Sequence, residues 1–497
     1  MLTPNLLILI LAAYFAVLIL FSWIVSRNAK GETFFTGDRK SPWYVVAFGM
    51  IGAAISGVTL ISIPGKVGAS GFTYMQFVLG NLLGYFFIAT VLLPLYYRLS
   101  LVSIYSYIGK RIGPISNKLA SAMFLISKLL GAGIRLFLVV KVLQMFIMDA
   151  LGVPYYITAG ITLVLIWVYT LKGGIKTVVW TSTMQTLFIL TAVVGTIIIV
   201  VGDLNMNISE ILTSMKEQGL SKMINIKGAW TDGNWFWKDF ISGAIIAIAL
   251  NGLDQDVMQR NLTCKNSVEA KKNMLSLGFI MVPITLLFVF LGGLLFMYAR
   301  TNGIDIPPDT DMLYPELAFN HLGLTVGILF FVGLIAAAYS SADSTITAMT
   351  TSFMVDILKI NVTDGSSSTK TKTIVHISMS TLMFITIVLL WNFSNASVVD
   401  LVFKTAGYTY APLVGMFAFG LISKRQVNDK LALFASIGVL AVVAILHANS
   451  IQWFGYKVGF EPIVINGLLI FLTMLLCSKS NDNRAQSESV YNIESPN

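Results

Sequence analysis

The chain has 497 residues, of which 56% are hydrophobic and only 11% are charged. This composition excludes an ordinary soluble enzyme and is typical of a protein that crosses the membrane many times. The net charge of +9 does not indicate nucleic-acid binding, because the basic residues lie at the ends of apolar segments and form no single patch. The two cysteines, Cys264 and Cys477, have no spacing that predicts a disulfide framework or a metal site.

Apolar segments about 20 residues long recur along nearly the whole chain, and each can cross a bilayer as a helix. They predict an all-α, polytopic membrane protein with about 13 transmembrane helices. The predicted segments are 5–26, 43–64, 73–97, 119–149, 155–171, 178–202, 236–256, 274–299, 315–357, 373–392, 398–423, 431–448 and 460–477. Residues 1–478 would form a single transmembrane domain, and residues 479–497 a polar, disordered tail.

Basic residues predict the orientation of these helices. The loop after the first helix carries Arg27, Lys30, Arg39 and Lys40. Because Lys and Arg are enriched in cytoplasmic loops, the N-terminus is expected outside the cell. An odd number of helices then places the C-terminal tail in the cytoplasm. The sequence therefore predicts a multi-pass protein of the inner or plasma membrane, with no cleavable signal peptide before the first apolar run.

Three predicted helices contain residues that interrupt helices. The interruptions are Gly49, Gly52, Gly57 and Pro64 in segment 43–64, Gly243 and Asn251–Gly252 in segment 236–256, and Gly407 to Pro412 in segment 398–423. Broken helices at membrane depth are tolerated where they face protein or a cavity, and paired breaks are typical of inverted-repeat transporters. The breaks indicate two five-helix repeats, about 43–202 and 236–423. The alternative is that the glycines only allow close helix packing.

The segment 331–351, FVGLIAAAYSSADSTITAMTT, places polar residues inside an apolar helix. A carboxylate at this depth, Asp343, is costly and by default marks an ion or substrate path. At 100° per residue one helical face carries Ala337, Ser340, Ser341 and Ser344. Carbonyl and hydroxyl oxygens at this spacing suit a small, hard cation such as Na⁺. The alternative is a serine-rich contact between helices.

Several motifs, in this order, resemble the sodium–solute symporter family, which has the LeuT-type fold. They are GAAISGVTLISIPGKVGASGF at 52–72, YTLKGGIKTVVWTSTMQ at 169–185, DQDVMQRNL at 254–262, AAAYSSADS at 336–344 and GYTYAP at 407–412. The resemblance covers about residues 5–477. It implies a 5+5 inverted repeat with one extra helix at the N-terminal end and two at the C-terminal end.

The resemblance also implies a sodium site and Na⁺ as the coupling ion, with no other cofactor. The implied ligands are the backbone carbonyls of Gly52, Ile55 and Ala337 and the hydroxyls of Ser340 and Ser341. The carbonyls fit this role because an unwound helix frees them from their intrahelical partners. This set agrees with the helical face inferred from spacing alone.

One position departs from the family pattern. The family usually has Asp after Trp180–Thr181, where this sequence has Ser182. In some members that Asp forms a second sodium site with serines of the eighth core helix, and here one of those serines is replaced by Asp343. We hypothesise that the carboxylate has moved, so that Ser182, Asp343 and Ser344 form a second cation site. The alternative is that only one sodium is bound and these residues line its release path.

The substrate is expected between the broken helices, near the bilayer midplane. The predicted substrate-binding residues are Ser56, Thr59, Tyr74, Gln76, Arg135, Asn251, Asp254, Thr409 and Tyr410. The planar fork of Arg135 suits a carboxylate, and in sialic acid symporters of this family an Arg at the matching position binds the substrate carboxylate. The alternative is that Arg135 forms a structural pair with Asp149, Asp254 or Asp343.

The sequence therefore predicts a sodium-coupled symporter that imports a small organic solute. An anionic sugar such as sialic acid is the first candidate; a neutral sugar, a polyol or another monocarboxylate is the second. A passive channel is a remote alternative, because no pore-lining repeat is visible, and an enzyme is disfavoured because no nucleophile–base constellation is visible. The expected partners are the substrate, Na⁺ and the lipid bilayer, without nucleic acid, and the symporter is expected to function as a monomer.

Overall fold

The computed structural model describes residues 3–27, 33–170, 174–227, 234–361, 369–393, 405–454 and 462–479. These residues are almost entirely helical, which confirms the predicted all-α class. The helices are α1 (Pro4–Ser26), α2 (Thr33–Thr36), α3 (Trp43–Ala54), α4 (Gly57–Ser70), α5 (Tyr74–Phe87), α6 (Leu93–Arg98), α7 (Ser106–Arg111), α8 (Pro114–Leu143), α9 (Tyr155–Thr170), α10 (Gly174–Leu204), α11 (Ile208–Glu217), α12 (Phe236–Ala247), α13 (Gln255–Asn261), α14 (Ser267–Thr301), α15 (Leu313–Glu316), α16 (Gly323–Ser352), α17 (Thr369–Phe393), α18 (405–409), α19 (Ala411–Ile422), α20 (Asp429–Ala448), α21 (Ser450–Phe454) and α22 (Pro462–Leu476).

Shorter elements extend or join these helices. Single turns of 3₁₀-helix cover Gly37–Arg39, Asp149–Leu151 and Thr310–Met312, and π-helical turns cover Ile88–Leu92, Gln144–Met148, Ile248–Gly252, Leu317–His321 and Phe353–Ile357. Two strands of two residues each, β1 (Gln426–Val427) and β2 (Ser478–Lys479), pair antiparallel beside the end of α22.

Within the described residues, eight helices are long and apolar enough to cross a membrane, or up to ten if each bent pair counts as one span. Three shorter apolar helices, α9, α19 and α22, fall on further predicted segments. Large apolar side chains point outward where lipid is expected, including Leu9, Leu20, Phe279 and Phe434. The count of 13 stays a prediction, because two predicted segments begin outside the described residues.

The first predicted break lies between α3 and α4, which meet at an angle of 58°. Ile55 and Ser56 have non-helical backbone angles, with ψ of 85° and 171° respectively. A glycine follows at Gly57, where a Cβ would lie 2.3 Å from the Val139 side chain. Glycine is therefore required here because α8 approaches the start of α4 closely.

The second break separates α12 and its π-helical turn from α13, with a bend of 71°. Asp254 stands at the start of α13, and its Oδ1 accepts a hydrogen bond from the backbone N–H of Asp256 at 2.8 Å. This is the N-cap arrangement that Asp favours, and it compensates for N–H groups that the break leaves unpaired. The predicted interruption at Asn251–Gly252 adjoins this break, whereas the predicted interruption at Gly243 is wrong, because Gly243 lies inside α12.

Helix α16 is the central element of the fold. It packs against α10, α8, α3 and α4, and every residue from Gly333 to Ser352 is buried. Its serines and threonines therefore face protein and not lipid, since unsatisfied polar groups in hydrocarbon are costly. This placement is required for any site that the polar face of α16 forms.

Helices α5 and α12 pack so closely that we expect the glycines between them to be required for the stability of the fold. A Cβ at Gly243 would lie 2.1 Å from the carbonyl oxygen of Phe77. We expect Gly243→Ala to destabilise the protein by about 1–3 kcal/mol, because the backbones must separate. Gly438→Ala is the control, because no atom lies within 4 Å of a Cβ added at that position in α20. Thermal unfolding in detergent tests the pair, and equal melting temperatures would contradict the prediction.

Candidate substrate and sodium site

A cavity of about 250 Å³ lies between the two broken helices, α5, α8 and α14. Most of the predicted substrate residues line it, although they come from five distant parts of the chain. They are Ser56, Thr59, Tyr74, Arg135, Asn251, Asp254 and Tyr410. The fold therefore brings together side chains with hydroxyl, amide, carboxylate and guanidinium groups around one small-molecule-sized space.

Gln76 and Thr409 are not among the residues that line the cavity. The Gln76 amide nitrogen donates to Asp239 Oδ2 at 3.0 Å, and its oxygen accepts from the N–H of Asn225 at 2.7 Å. Thr409 donates to the Thr405 carbonyl in its own helix at 2.9 Å. The structure thus corrects the sequence-based placement of both residues, whose polar groups already have local or structural partners.

Arg135 lines the cavity and forms no ion pair with any carboxylate of the described residues. The three carboxylates considered as its structural partners bind elsewhere, in the pairs Asp149–Gln144, Asp254–Lys128 and Asp343–Tyr169. A guanidinium group that faces a cavity in this way is available to bind an anion.

Backbone carbonyls become available at the first break. Within the described residues, no backbone N–H donates to the carbonyl of Gly52 or Ile55, because the helix ends at Ala54. On its other side, the backbone N–H of Gly52 donates a hydrogen bond to Thr186 Oγ1 of α10 at 2.9 Å. A Cβ at Gly52 would lie 2.3 Å from that hydroxyl, so glycine is required for this contact.

The polar face of α16 reaches the same region. The Ser340 hydroxyl donates to Ser182 Oγ at 3.2 Å, and Ser182 also adjoins Gly52. Ser341 and Ser56 both line the substrate cavity, while Ala337 is fully buried one turn before Ser341. The first break, α10 and α16 therefore meet at Ser182, although the predicted sodium ligands Gly52, Ile55, Ala337 and Ser340 themselves do not line the substrate cavity.

Sequence reasoning missed a buried ionic network at the side of the cavity. Lys128 Nζ lies 2.8 Å from Asp254 Oδ2 and 3.2 Å from Asp256 Oδ2. Tyr410 donates its hydroxyl to the same Asp254 oxygen, and Thr345 donates to Asp256 at 3.0 Å. Lys128 thus pairs with two carboxylates of the second broken helix. Removing one partner would leave a buried charge unpaired, which lowers the stability of the fold strongly.

Arg260 continues this network towards α16 and was also missed. Its Nε lies 3.7 Å from Asp256 Oδ1, and its NH2 group donates to the Ser340 carbonyl at 3.0 Å. NH1 donates to Ser182 Oγ at 3.4 Å. The i, i+4 spacing of Asp256 and Arg260 in DQDVMQR was a sequence signal that could have identified this pair.

The predicted second cation site is not assembled as one group. Ser182 contacts Ser340 and Arg260, and the Ser344 hydroxyl donates to the carbonyl of Ser341 at 3.3 Å. Asp343 accepts a hydrogen bond from Tyr169 of α9 at 3.0 Å and, within the described residues, forms no hydrogen bond with Ser182. The structure therefore does not bring the Asp343 carboxylate across the cavity to Ser182.

Comparison with known protein families identifies the family of this chain. The model of the sodium:solute symporter family matches residues 34–438, which is most of the chain. The chain belongs to the sodium:solute symporter family. It is therefore a sodium-coupled membrane transporter and not an enzyme.

Relatives of this symporter are distant in sequence, and the two sialic acid symporters among them are similar to it in length. The sodium/sialic acid symporter SiaT of Proteus mirabilis is 24% identical, with 93% of each chain covered. The sodium/sialic acid symporter NanT of Aliivibrio fischeri is 23% identical, with 90% of this chain and 89% of that protein covered. Sodium-coupled monocarboxylate transporter 1 of Mus musculus is 25% identical, with 82% and 67% covered.

Solved structures confirm the fold of the symporter. A Na⁺-coupled sialic acid symporter in a substrate-bound outward-open state superposes with a TM-score of 0.81 at 22% identity, covering 96% of this chain and 99% of that chain. Mhp1, a nucleobase-cation-symport-1 family transporter, superposes with a TM-score of 0.55 at 15% identity, covering 89% and 94%. The symporter therefore has the predicted LeuT-type fold.

Proposed function

We propose that this symporter imports an anionic sugar of the sialic acid class together with Na⁺. The observation that carries the proposal is Arg135, whose guanidinium faces the cavity while each candidate structural carboxylate has another partner. A carboxylate is the group that such a planar, fixed donor set binds best. Two sialic acid symporters among the relatives support the same substrate class.

The remaining lining of the cavity supports a charged and hydroxylated substrate. The charged side chains that line it are Lys66, Lys128, Arg135, Arg260, Asp254 and Asp256. Cations exceed carboxylates in this set, so the field in the cavity favours an anion. Ser56, Thr59 and Asn251 add neutral donors and acceptors, which fix a polyhydroxylated solute by hydrogen bonds.

We further propose that Na⁺ binds to the carbonyls of Gly52, Ile55 and Ala337 and the hydroxyls of Ser340 and Ser341. Support comes from the unpaired carbonyls at the first break and from the approach of α16 to the same place through Ser182. A bound Na⁺ would hold α3 and α4 against α16. Because Ser56 follows Ile55 directly, this ion would also position the substrate residues of α4, so each ligand would strengthen the binding of the other.

The topology and assembly predicted from sequence form part of the proposal. The N-terminus would lie outside and the C-terminal tail, residues 479–497, in the cytoplasm, with residues 1–478 as a single transmembrane domain and repeats at about 43–202 and 236–423. One chain contains both broken helices and all the described residues that line the cavity. A monomer would therefore suffice for transport.

Ligand-dependent thermal stabilisation of the purified symporter tests the substrate class. Stabilisation follows the affinity of a ligand for the folded state. We expect sialic acid to raise the melting temperature in Na⁺ and not in K⁺, and its carboxamide analogue to have no effect in either salt. Equal stabilisation by the acid and the carboxamide would overturn the anionic substrate.

Monocarboxylates are the second candidate, because Arg135 suits any carboxylate and a monocarboxylate transporter is among the relatives. The two candidates differ in their use of the hydroxyl-binding side chains. A short monocarboxylate has few hydroxyl groups with which to engage Ser56, Thr59 and Asn251, whereas a sugar acid has several. Competition between lactate and sialic acid for uptake separates them, and tighter binding of lactate would favour the second candidate.

A further inference from the structure

The α6–α7 loop, residues 99–105, is unusually buried for a connecting segment. Residues 103–105 are fully buried, although loops normally lie on the surface, where water satisfies their backbone groups. The loop lies between Arg98 at the end of α6 and Arg111 at the end of α7. Because basic residues are enriched in cytoplasmic loops, it is expected on the cytoplasmic side. A buried loop needs protein partners for its polar groups.

One side of the loop is bound to the second broken helix. Gln255, the first residue of α13, is fully buried. Its amide nitrogen donates to the Val102 carbonyl at 2.8 Å, and its amide oxygen accepts from the N–H of Ile104 at 2.9 Å. The Tyr105 hydroxyl donates to the carbonyl of Leu253, within the break, at 3.1 Å. The loop therefore binds directly to the break that contributes to the substrate cavity.

The other side of the loop is bound to Asp356, a fully buried residue in the π-helical turn that extends α16. Its Oδ2 accepts hydrogen bonds from Ser103 of the loop at 2.5 Å and from Ser352 of α16 at 3.0 Å. Its Oδ1 accepts from the Asn117 amide of α8 at 3.0 Å and from Ser106 of α7 at 3.3 Å. Asp356 thus joins the loop to α7, α8 and α16.

The bonds to Asp356 come from neutral groups. Within the described residues Asp356 forms no ion pair, and Lys359, the basic residue nearest to it in the chain, donates instead to Asn117 Oδ1. A carboxylate buried without a paired cation loses much of its hydration free energy. Water that reached Asp356 would restore this hydration and replace each neutral donor. Contacts of this kind can open and close reversibly.

The loop therefore links the second broken helix to α8 and α16 at the cytoplasmic end. Transporters with broken helices at the bilayer midplane alternate their access by rocking one group of helices against another around the substrate site. Contacts between such groups must separate at the end through which the substrate leaves.

We propose that the α6–α7 loop is a latch that holds the cytoplasmic end of the cavity closed and releases at Asp356 when this end opens. Gln255 and Asp356 are positioning residues for transport, because they hold the loop and do not touch the substrate. Release occurs at Asp356 because the buried carboxylate gains hydration there. The latch rests on the proposed orientation and on sodium-coupled transport, and not on which organic solute is carried.

Amide hydrogen exchange of the loop tests the latch without any substrate. Ser103→Ala removes the loop's donor to Asp356. We expect the N–H of Ile104, whose acceptor Gln255 is unchanged, to exchange on the order of tenfold faster in this variant. Ser352→Ala is the matched control, because it removes a donor to the same carboxylate oxygen from within α16. It should leave the exchange rate of the loop unchanged.

A removable cross-link tests the latch during transport. Ser103→Cys with Asp356→Cys, in a chain whose two native cysteines are replaced by serine, is bridged with a short bis-methanethiosulfonate and reopened with dithiothreitol. We expect bridging to lower Na⁺-driven uptake of sialic acid at least about tenfold, because opening steps limit turnover, and reduction to restore it. Ser121→Cys with Ser352→Cys is the matched pair, since these hydroxyls lie 2.7 Å apart on α8 and α16. Bridging this pair should leave uptake unchanged.

Three results would overturn the latch. Undiminished uptake by the bridged Ser103–Asp356 pair would show that the loop stays on α16 during transport. Loss of uptake in both bridged pairs would assign the block to α8 and α16 and not to the loop. Equal exchange rates in wild type and Ser103→Ala would show that Asp356 does not hold the loop closed. Wild type that takes up no sialic acid would contradict the substrate proposal alone, because the exchange measurement uses no substrate.

Discussion

Replacing Arg135 with alanine is expected to eliminate measurable binding of carboxylated sugars while Na⁺ binding persists. A desolvated, charge-assisted pair that loses one partner costs roughly 2–5 kcal/mol, so the dissociation constant should rise by a factor of about 30 to 4,000. The proposed sodium ligands lie on other helices, so Na⁺-dependent stabilisation of the variant should match that of wild type. Isothermal calorimetry in Na⁺ buffer measures both ligands.

Two further variants sharpen the Arg135 experiment. Arg135→Lys keeps the charge and loses the planar fork, so it should bind with intermediate affinity. Lys141→Ala is the matched control, since Lys141 is a cation on the same helix that does not line the cavity. Undiminished binding of sialic acid by Arg135→Ala would remove Arg135 from the site, and an equal loss in Lys141→Ala would reduce its role to a general effect of charge.

Replacing Lys128 with alanine is expected to destabilise the folded symporter by about 3–5 kcal/mol, because it leaves Asp254 and Asp256 buried without their nearest cation. Transport should be lost as well, since Asp254 lines the cavity and caps the helix that follows the second break. Thermal or denaturant unfolding in detergent measures the change in the free energy of unfolding.

The Lys128 result has a contrast within the same protein. Lys176 pairs with Asp38 at 3.1 Å, but both side chains are about one-third exposed, so Lys176→Ala should cost at most about 1 kcal/mol. The double variant Lys128→Ala with Asp254→Asn should be less destabilised than the sum of the single variants, because the second change removes the unpaired charge. Equal effects of Lys128→Ala and Lys176→Ala would contradict the proposed importance of the network.

The sequence predicted the elements of the site well where local rules determine the structure. Of the predicted interruptions, Gly52 and Gly57 flank the first break and Asn251–Gly252 adjoin the second, because interruptions of a helix depend on nearby residues. Gly49, Pro64 and Gly243 were also predicted to interrupt helices but lie inside them. The polar stretch of α16 is buried as expected, because a run of hydroxyls inside an apolar helix must face protein.

Long-range pairing limited the remaining predictions. Gln76 was expected in the cavity, yet its amide binds Asn225 and Asp239, which are about 150 residues away in the chain. No local pattern reveals such a contact. A helical wheel also could not predict which neighbouring helix Asp343 faces. Its hydrogen-bond partner is Tyr169 of α9 and not Ser182 of α10.

Lys128 shows the same limitation for charges. Long basic side chains often reach towards water, but the structure buries Lys128 between two carboxylates of the second broken helix. Asp256 and Arg260 were close enough in sequence to be paired by their spacing. The third member of the network becomes visible only when α8 and α13 are packed together.

Uptake driven by a sodium gradient tests the central claim most directly, which is that Na⁺ between the first break and α16 drives substrate entry. The measurement uses proteoliposomes with wild type and the double variant Ser340→Ala with Ser341→Ala. Wild type should accumulate substrate above equilibrium only under an inward Na⁺ gradient, and the variant should lose this accumulation while remaining folded. Accumulation by the variant with unchanged dependence on Na⁺, or equilibration without accumulation by wild type, would contradict the claim.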